Sequence, residues 1–234
     1  MPSNICAVCW KEGASACIRC KSCHYCSKEC QKNDWKSHRL LCHLVATEPE
    51  RPTPTHIRAI YFPDNKPTPE IIWVPCIQNR EIVEEPNVPC YEVQRDLIGE
   101  KYFMDVKRVD WEDCQKKPTP RVIEICHRNS FLIDGSPPTA SLEVAVSHHG
   151  RAKFGWRGPL IVFAISVEDG PEEYDINRYV DATLADFRSA LHHSIHYENK
   201  PTKPRPVDPE ILALAKAMGF GTVFCHGDPP RLRR

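Results

Sequence analysis

From residue 57 onward the apolar residues arrive in short runs separated by prolines, glycines and charged turns. "IRAIYF", "EIIWVPCI", "KYFMDVKRV", "RVIEICH", "NSFLI" and "GPLIVFAISV" are rich in β-branched and aromatic residues and bounded by turn formers, so each predicts a strand. The period then changes. In "DINRYVDATLADFRSALHHSIHY", Val180, Leu184, Phe187, Leu191 and Ile195 recur at helical spacing and predict the best helix of the chain. "KPTKPRP" breaks it, and "VDPEILALAKAMGF" predicts a second helix, with Asp208 as N-cap, Pro209 at the first helical position and Gly219 just past the end. Strands first and helices after predict an α+β domain over residues 57–234. No internal repeat is visible.

Residues 1–45 follow neither period. Ser27 predicts the N-cap of a short helix through Cys30, and Asp34 the cap of another from Trp35 to about Leu44. Trp35 is then the large apolar side chain that so small a module has available to bury. The proline-rich "TEPERPTPTH" is a poor helix and predicts an extended linker over residues 46–56. The expected organisation is a small module (1–45), this linker (46–56) and the α+β domain (57–234).

Composition sharpens the picture at one point, the 13 cysteines. Cys76, Cys90, Cys114, Cys126 and Cys225 are scattered singly, whereas the others crowd into the first module. The opening "MPSNICAVCW" has neither a basic n-region nor an apolar h-region, and "GPLIVFAISV" is far too short for a membrane span. These features predict an intracellular protein of the cytoplasm and/or nucleus, without a membrane partner. In such reducing surroundings clustered cysteines bind metal rather than pair with each other. The spacing is Cys6-x2-Cys9-x7-Cys17-x2-Cys20-x5-Cys26-x3-Cys30-x7-His38-x3-Cys42. C-x2-C suits zinc because a tight turn brings two thiolates to one ion, each at about 2.3 Å. Cys26/Cys30 and His38/Cys42 are four apart, one helical turn, and so share a face. Two redox C-x2-C pairs are the competing reading, but a redox site needs such a pair beside a βαβ pattern, and none is present. The ligand set therefore provides for two tetrahedral Zn²⁺ ions. Spacing alone leaves sequential, nested and interleaved pairing open. Cys23 is spare in this scheme and is expected as a free thiol, since tetrahedral structural sites close at four ligands. His43 is expected in solvent.

The order of ligands, with "YCSKECQ" around the fifth and sixth, Trp35, His38 and Cys42, resembles the MYND-type zinc finger over residues 6–42. The resemblance implies interleaved sites: Cys6, Cys9, Cys26 and Cys30 on one zinc, Cys17, Cys20, His38 and Cys42 on the other. It also implies a protein partner reached through short proline-containing peptides, in transcriptional or other regulatory complexes. "ERPTPT", just after the finger, is placed to fold back on it as a weak competitor.

Charge then weighs against nucleic acid. The whole chain is formally neutral, but residues 1–44 carry seven Lys and Arg against three acids. Two zinc ions and seven thiolates bring that module to about +1, a poor electrostatic footprint for phosphates. Elsewhere there is little catalytic signal. G-x-x-x-x-G-K-[ST], G-x-S-x-G and H-E-x-x-H are all missing. Cys126 and His127 are neighbours on an expected strand and point to opposite faces. His192 and His196 share a helix face without a third ligand. "SHHGRAKFGWRGP", residues 147–159, is expected as a connection into a buried strand rather than a binding loop. Some SET-domain lysine methyltransferases contain a MYND finger, but the sole G-x-G is Gly219-Phe220-Gly221, just after a helix, and the family's Asn-His motif is missing. The sequence therefore predicts a non-enzymatic adaptor, over a methyltransferase or a nucleic-acid-binding regulator.

Overall fold

The computed structural model describes residues 4–78, 91–93, 96–99, 104–112, 117–165, 179–197, 221–223 and 231–233. The chain divides into two compact units, Met1–Tyr197 and Glu198–Arg234. In the second, β10 (Gly221–Val223) pairs antiparallel with β11 (Arg231–Arg233). The helix expected over 207–220 lies outside the described residues.

The first unit opens with β1 (Ser15–Ala16) and β2 (His24–Tyr25), an antiparallel pair, followed by helix α1 (Lys28–Ala46). Two short finger helices were expected, and one continuous helix forms. Its start is as expected: Ser27 accepts the N–H of Cys30 at 3.2 Å. Asp34 does not cap anything, because no glycine or proline interrupts residues 28–46 and the helix runs through it. Asp34, Ser37, His38, Leu41, Cys42 and Val45 form its buried stripe, spaced at three and four. Trp35 falls outside that stripe and is 47% exposed, contrary to the expectation that it would be buried.

The expected linker is tied down against the strands that follow. Trp73 donates its indole N–H to the carbonyl of Pro49 at 3.2 Å, and Arg51 lies over the Trp73 ring at 4.9 Å and pairs with Asp181 at 2.5 Å. "ERPTPT" is thus engaged with the sheet side of the molecule.

The body is a seven-stranded antiparallel sheet in the order β5-β4-β3-β8-β7-β6, with β9 on β8. The strands are β3 (His56–Phe62), β4 (Glu70–Gln78), β5 (Tyr91–Val93), β6 (Met104–Glu112), β7 (Lys117–Arg128), β8 (Leu160–Ile165) and β9 (Tyr179–Val180). β8 is central and buried on both faces, which is why "LIVFAI" is unbroken by polar residues. β7 runs through Pro118 and Pro120 because those residues lie before its pairing with β8 begins, at Val122, and so leave no demand for an N–H on that side.

Helices α1, α2 (Ala140–Val146) and α3 (Leu184–His196) cover one face of the sheet. α2 was not expected: it has seven residues, too few to display a period against its Pro-rich and His-rich flanks. α3 begins later than expected because Thr183 and Asp186 form a capping box there, while Val180 is taken into β9. "NSFLI" is a turn, not a strand. Ser130 accepts from Ile133 and Asp134 at 2.8 and 3.0 Å, Gly135 turns the chain at φ +81°, and only Phe131 of that segment's apolar side chains is buried.

Phe62, Ile60, Ile125 and Val162 of the sheet form one core with Leu142, Phe187 and Leu191 of the helices. Cys17, Cys20, Cys23, Tyr25, Leu41 and Cys42 belong to that same core. Both sides of the bridge at 46–56 therefore contribute to a single buried cluster. Ile57, Ala59, Ile161 and Phe163 form a second cluster on the opposite face.

Candidate metal centre

Both C-x2-C segments are built the same way. The N–H of Trp10 donates to the carbonyl of Cys6 at 2.9 Å, and that of Lys21 to Cys17 at 2.9 Å. Trp10 and Lys21 both take positive φ, 62° and 55°. This left-handed step after each second cysteine closes the turn and aims both thiols to one side, at a steric cost for residues other than glycine. Of the other four ligands, Cys30, His38 and Cys42 lie on α1, where a spacing of four stacks His38 over Cys42. Cys26, expected on one helical face with Cys30, sits just before the extended N-cap Ser27 and reaches the site from outside the helix.

The turns and the helix bring the eight ligands into two groups, Cys6/Cys9/Cys26/Cys30 and Cys17/Cys20/His38/Cys42, each with all ligand atoms within 4.8 Å of one another. In the first, the Sγ separations are 3.3 Å for Cys9–Cys26, 3.7 Å for Cys26–Cys30 and 3.9 Å for Cys9–Cys30. In the second, Cys17 Sγ lies 4.0 Å from Cys42 Sγ, and Cys20 Sγ lies 3.8 Å from Nε2 of His38. Sulfur ligands about 2.3 Å from a tetrahedral zinc are about 3.8 Å apart. The observed distances bracket that value, so both donor sets fit Zn²⁺. The pairing is interleaved: first cysteine pair with third ligand pair, second with fourth.

The two sites differ in surroundings. All four ligands of the second are buried, whereas Cys26 of the first is exposed and Cys9 and Cys30 are half-buried. Electrostatics suit a cation in both. Burial resists ionisation of Cys6, but the backbone amides of Cys9, Cys26 and Val8 pull its thiol down to about 6. Cys17 is lowered too, against burial, by the amides of Cys20 and Arg19. Burial and the negative charge of Cys20 and Cys17 push Cys42 up to about 12. Each set thus has one thiol that ionises more readily than an ordinary cysteine and others that need a cation to offset their mutual repulsion. Burial holds His38 below the usual imidazole range despite the pull of Asp34, leaving a neutral ring to act as ligand.

Cys23, wholly buried, stays outside both tetrahedra. Burial and the charge of Asp34 raise its thiol well above the usual range, so it remains a protonated structural cysteine. His43 is exposed. Sequence reasoning missed a set of partners behind His38. Nδ1 lies 2.9 Å from the hydroxyl of Tyr25, which donates to Oδ2 of Asp34 at 2.5 Å, and Arg188 donates to Oδ1 at 2.7 Å. The only sequence signal was Tyr25 in "YC".

The other candidate residues have the following surroundings. His127 packs on Trp156 with ring centroids 5.3 Å apart, while Cys126 faces the opposite core. The His192 and His196 rings are tilted by 36° with centroids 4.1 Å apart, and among the described residues no third metal-binding side chain joins them. Residues 147–159 lead into β8 with Trp156 buried.

The family model described as MYND finger matches residues 6–42. Residues 6–42 are a MYND finger. It binds two zinc ions through the eight residues named above, and a MYND finger is a protein-interaction module. The similar curated proteins match this chain over a segment of finger length. N-lysine methyltransferase SMYD2 of Homo sapiens is 54% identical over 41 residues, 17% of this chain and 10% of that protein. Zinc finger MYND domain-containing protein 10 homolog of Drosophila melanogaster is 46% identical over 39 residues, 17% of this chain and 9% of that protein. Ubiquitin carboxyl-terminal hydrolase 19 of Arabidopsis thaliana is 55% identical over 38 residues, 16% of this chain and 6% of that protein. The chain thus spans about a tenth or less of the length of these relatives, and the methyltransferase alternative gains no support from a match confined to the finger. No solved structure matches the chain. No helix among the described residues is long and apolar enough to cross a membrane.

Proposed function

We propose that this protein is a non-enzymatic adaptor of the cytoplasm and/or nucleus whose MYND finger docks short proline-containing peptides of a protein partner. The observation that carries this reading is Trp35, 47% exposed on α1 with its ring centroid 6.1 Å from that of the zinc ligand His38. A rigid aromatic on a metal-braced helix offers a flat face for proline rings, and a polyproline segment is already extended, so little entropy is lost on docking. Both zinc sets hold four protein donors, which leaves no open coordination position for chemistry at the metals. The finger's charge of about +1 argues against a nucleic-acid partner. A cavity of about 470 Å³ lined by Leu142, Val146, Phe154 and Trp156 gives the body a second contact surface.

The test is titration of the full zinc-loaded chain with proline-rich peptides by calorimetry, alongside Trp35→Ala. Wild type should bind, and Trp35→Ala should lose most of the affinity while keeping both zincs. Equal binding by the two proteins removes Trp35 as the docking face. Salt-sensitive, sub-micromolar binding of duplex DNA by wild type overturns the adaptor reading.

A further inference from the structure

We infer that Tyr25, Asp34 and Arg188 are positioning residues of the second zinc site, so that helix α3 of the body takes part in holding a metal bound by the finger. His38 presents its two ring nitrogens to different surroundings. Nε2 faces Cys20 Sγ at 3.8 Å, within the ligand set, and Nδ1 faces the Tyr25 hydroxyl at 2.9 Å. Donor and acceptor capacity then fixes the direction of every proton. A guanidinium can only donate and a carboxylate can only accept. Asp34 therefore takes one bond from Arg188, at 2.7 Å, and the hydroxyl proton of Tyr25, at 2.5 Å. With its proton committed to Asp34, the Tyr25 oxygen accepts, and the donor it accepts from is Nδ1–H. That leaves the lone pair of His38 on Nε2, the tautomer that ligates zinc.

Cys23, Asp34 and His38 also lie within metal-binding distance of one another. The Tyr25 hydroxyl bonds both Asp34 and His38, filling the place an ion in that group would need, so the group is the outer shell of the second site. The whole relay is enclosed. Tyr25, Asp34 and His38 are all buried, and Arg188 is the cation that compensates the buried carboxylate. Arg188 lies 154 residues from Asp34, so the body completes a site whose ligands all belong to the finger.

The test uses the full chain carrying two zincs, with the zinc affinity of each site measured by competition with a graded series of chelators. Tyr25→Phe keeps the ring and the Asp34–Arg188 pair and removes only the hydroxyl. It should weaken one zinc about 10- to 100-fold and leave the other unchanged. Arg188→Met should weaken the same zinc, and Arg188→Lys should recover part of the loss. In the cobalt-substituted protein, Tyr25→Phe should alter the absorption bands of the histidine-containing site alone. Wild-type affinity at both sites in Tyr25→Phe overturns the inference, as does equal weakening of both. Should Arg188→Met fail to fold, Tyr25→Phe decides alone.

Discussion

Ser22, in the finger, accepts the backbone N–H of Leu184, the first residue of α3, at 3.0 Å. The first N–H groups of a helix lack partners within it, so the finger supplies a cap to the body's longest described helix. Together with the shared core this predicts that zinc removal destabilises more than the finger. Chelation should lower the midpoint of thermal unfolding followed by far-UV circular dichroism for the whole chain. Phe187→Ala, which removes a buried ring stacked on Phe62 at 5.8 Å, should cost about 3–5 kcal/mol and make zinc easier to strip. A body transition unmoved by chelator contradicts this coupling and favours two independent modules.

Lys21 tests the turn geometry. At φ 55° a β-branched side chain is strained, whereas glycine is not. Lys21→Val should destabilise the finger by about 1–3 kcal/mol and weaken the second zinc, while Lys21→Gly should keep it. The readouts are zinc stoichiometry and thermal stability side by side. Equal behaviour of the two variants means that the left-handed step is not needed.

Acid should strip the zinc. Cys6 is held down to about 6 from an ordinary value of 9.0 by backbone amides that outweigh the opposing effect of burial. A lowered value contributes stability that is complete above about 9 and is lost as pH falls through about 6. Burial also lowers His38 from 6.5, so its contribution is complete above that value and disappears on further acidification. Both act in one direction, and protons compete with the metal for the same atoms. Zinc should be retained at about pH 7 to 8 and released below about pH 6, as followed by a colorimetric indicator. A release midpoint above about pH 7 contradicts this.

Which parts of this were legible follows from how local each cause is. The eight ligands could be read because C-x2-C turns and the helical spacing of His38 and Cys42 are set by neighbours in the chain, although Cys26 meets Cys30 from ahead of the cap Ser27 rather than from one helical face. The central strand β8 could be read for the same reason: an unbroken apolar run reports burial on both faces. Asp34 was misread because its role is decided by Arg188, on another helix. Seen locally, an Asp before Trp35 looks like a cap. Trp35 was expected inside because a small module was assumed to build its own core. Instead α1 turns its other face to the sheet and α3, and Phe62 and Phe187 supply the large apolar side chains. "NSFLI" shows the opposite failure, a β-rich composition overridden by the Asp134–Gly135 turn.

The most direct measurement is native mass spectrometry of the purified full chain and of two variants. Wild type should carry two zincs, His38→Ala should carry one because an open site loses its metal, and Cys23→Ser should carry two because that thiol lies outside both tetrahedra. One zinc or none on wild type, or a zinc lost from Cys23→Ser, contradicts the interleaved eight-ligand account.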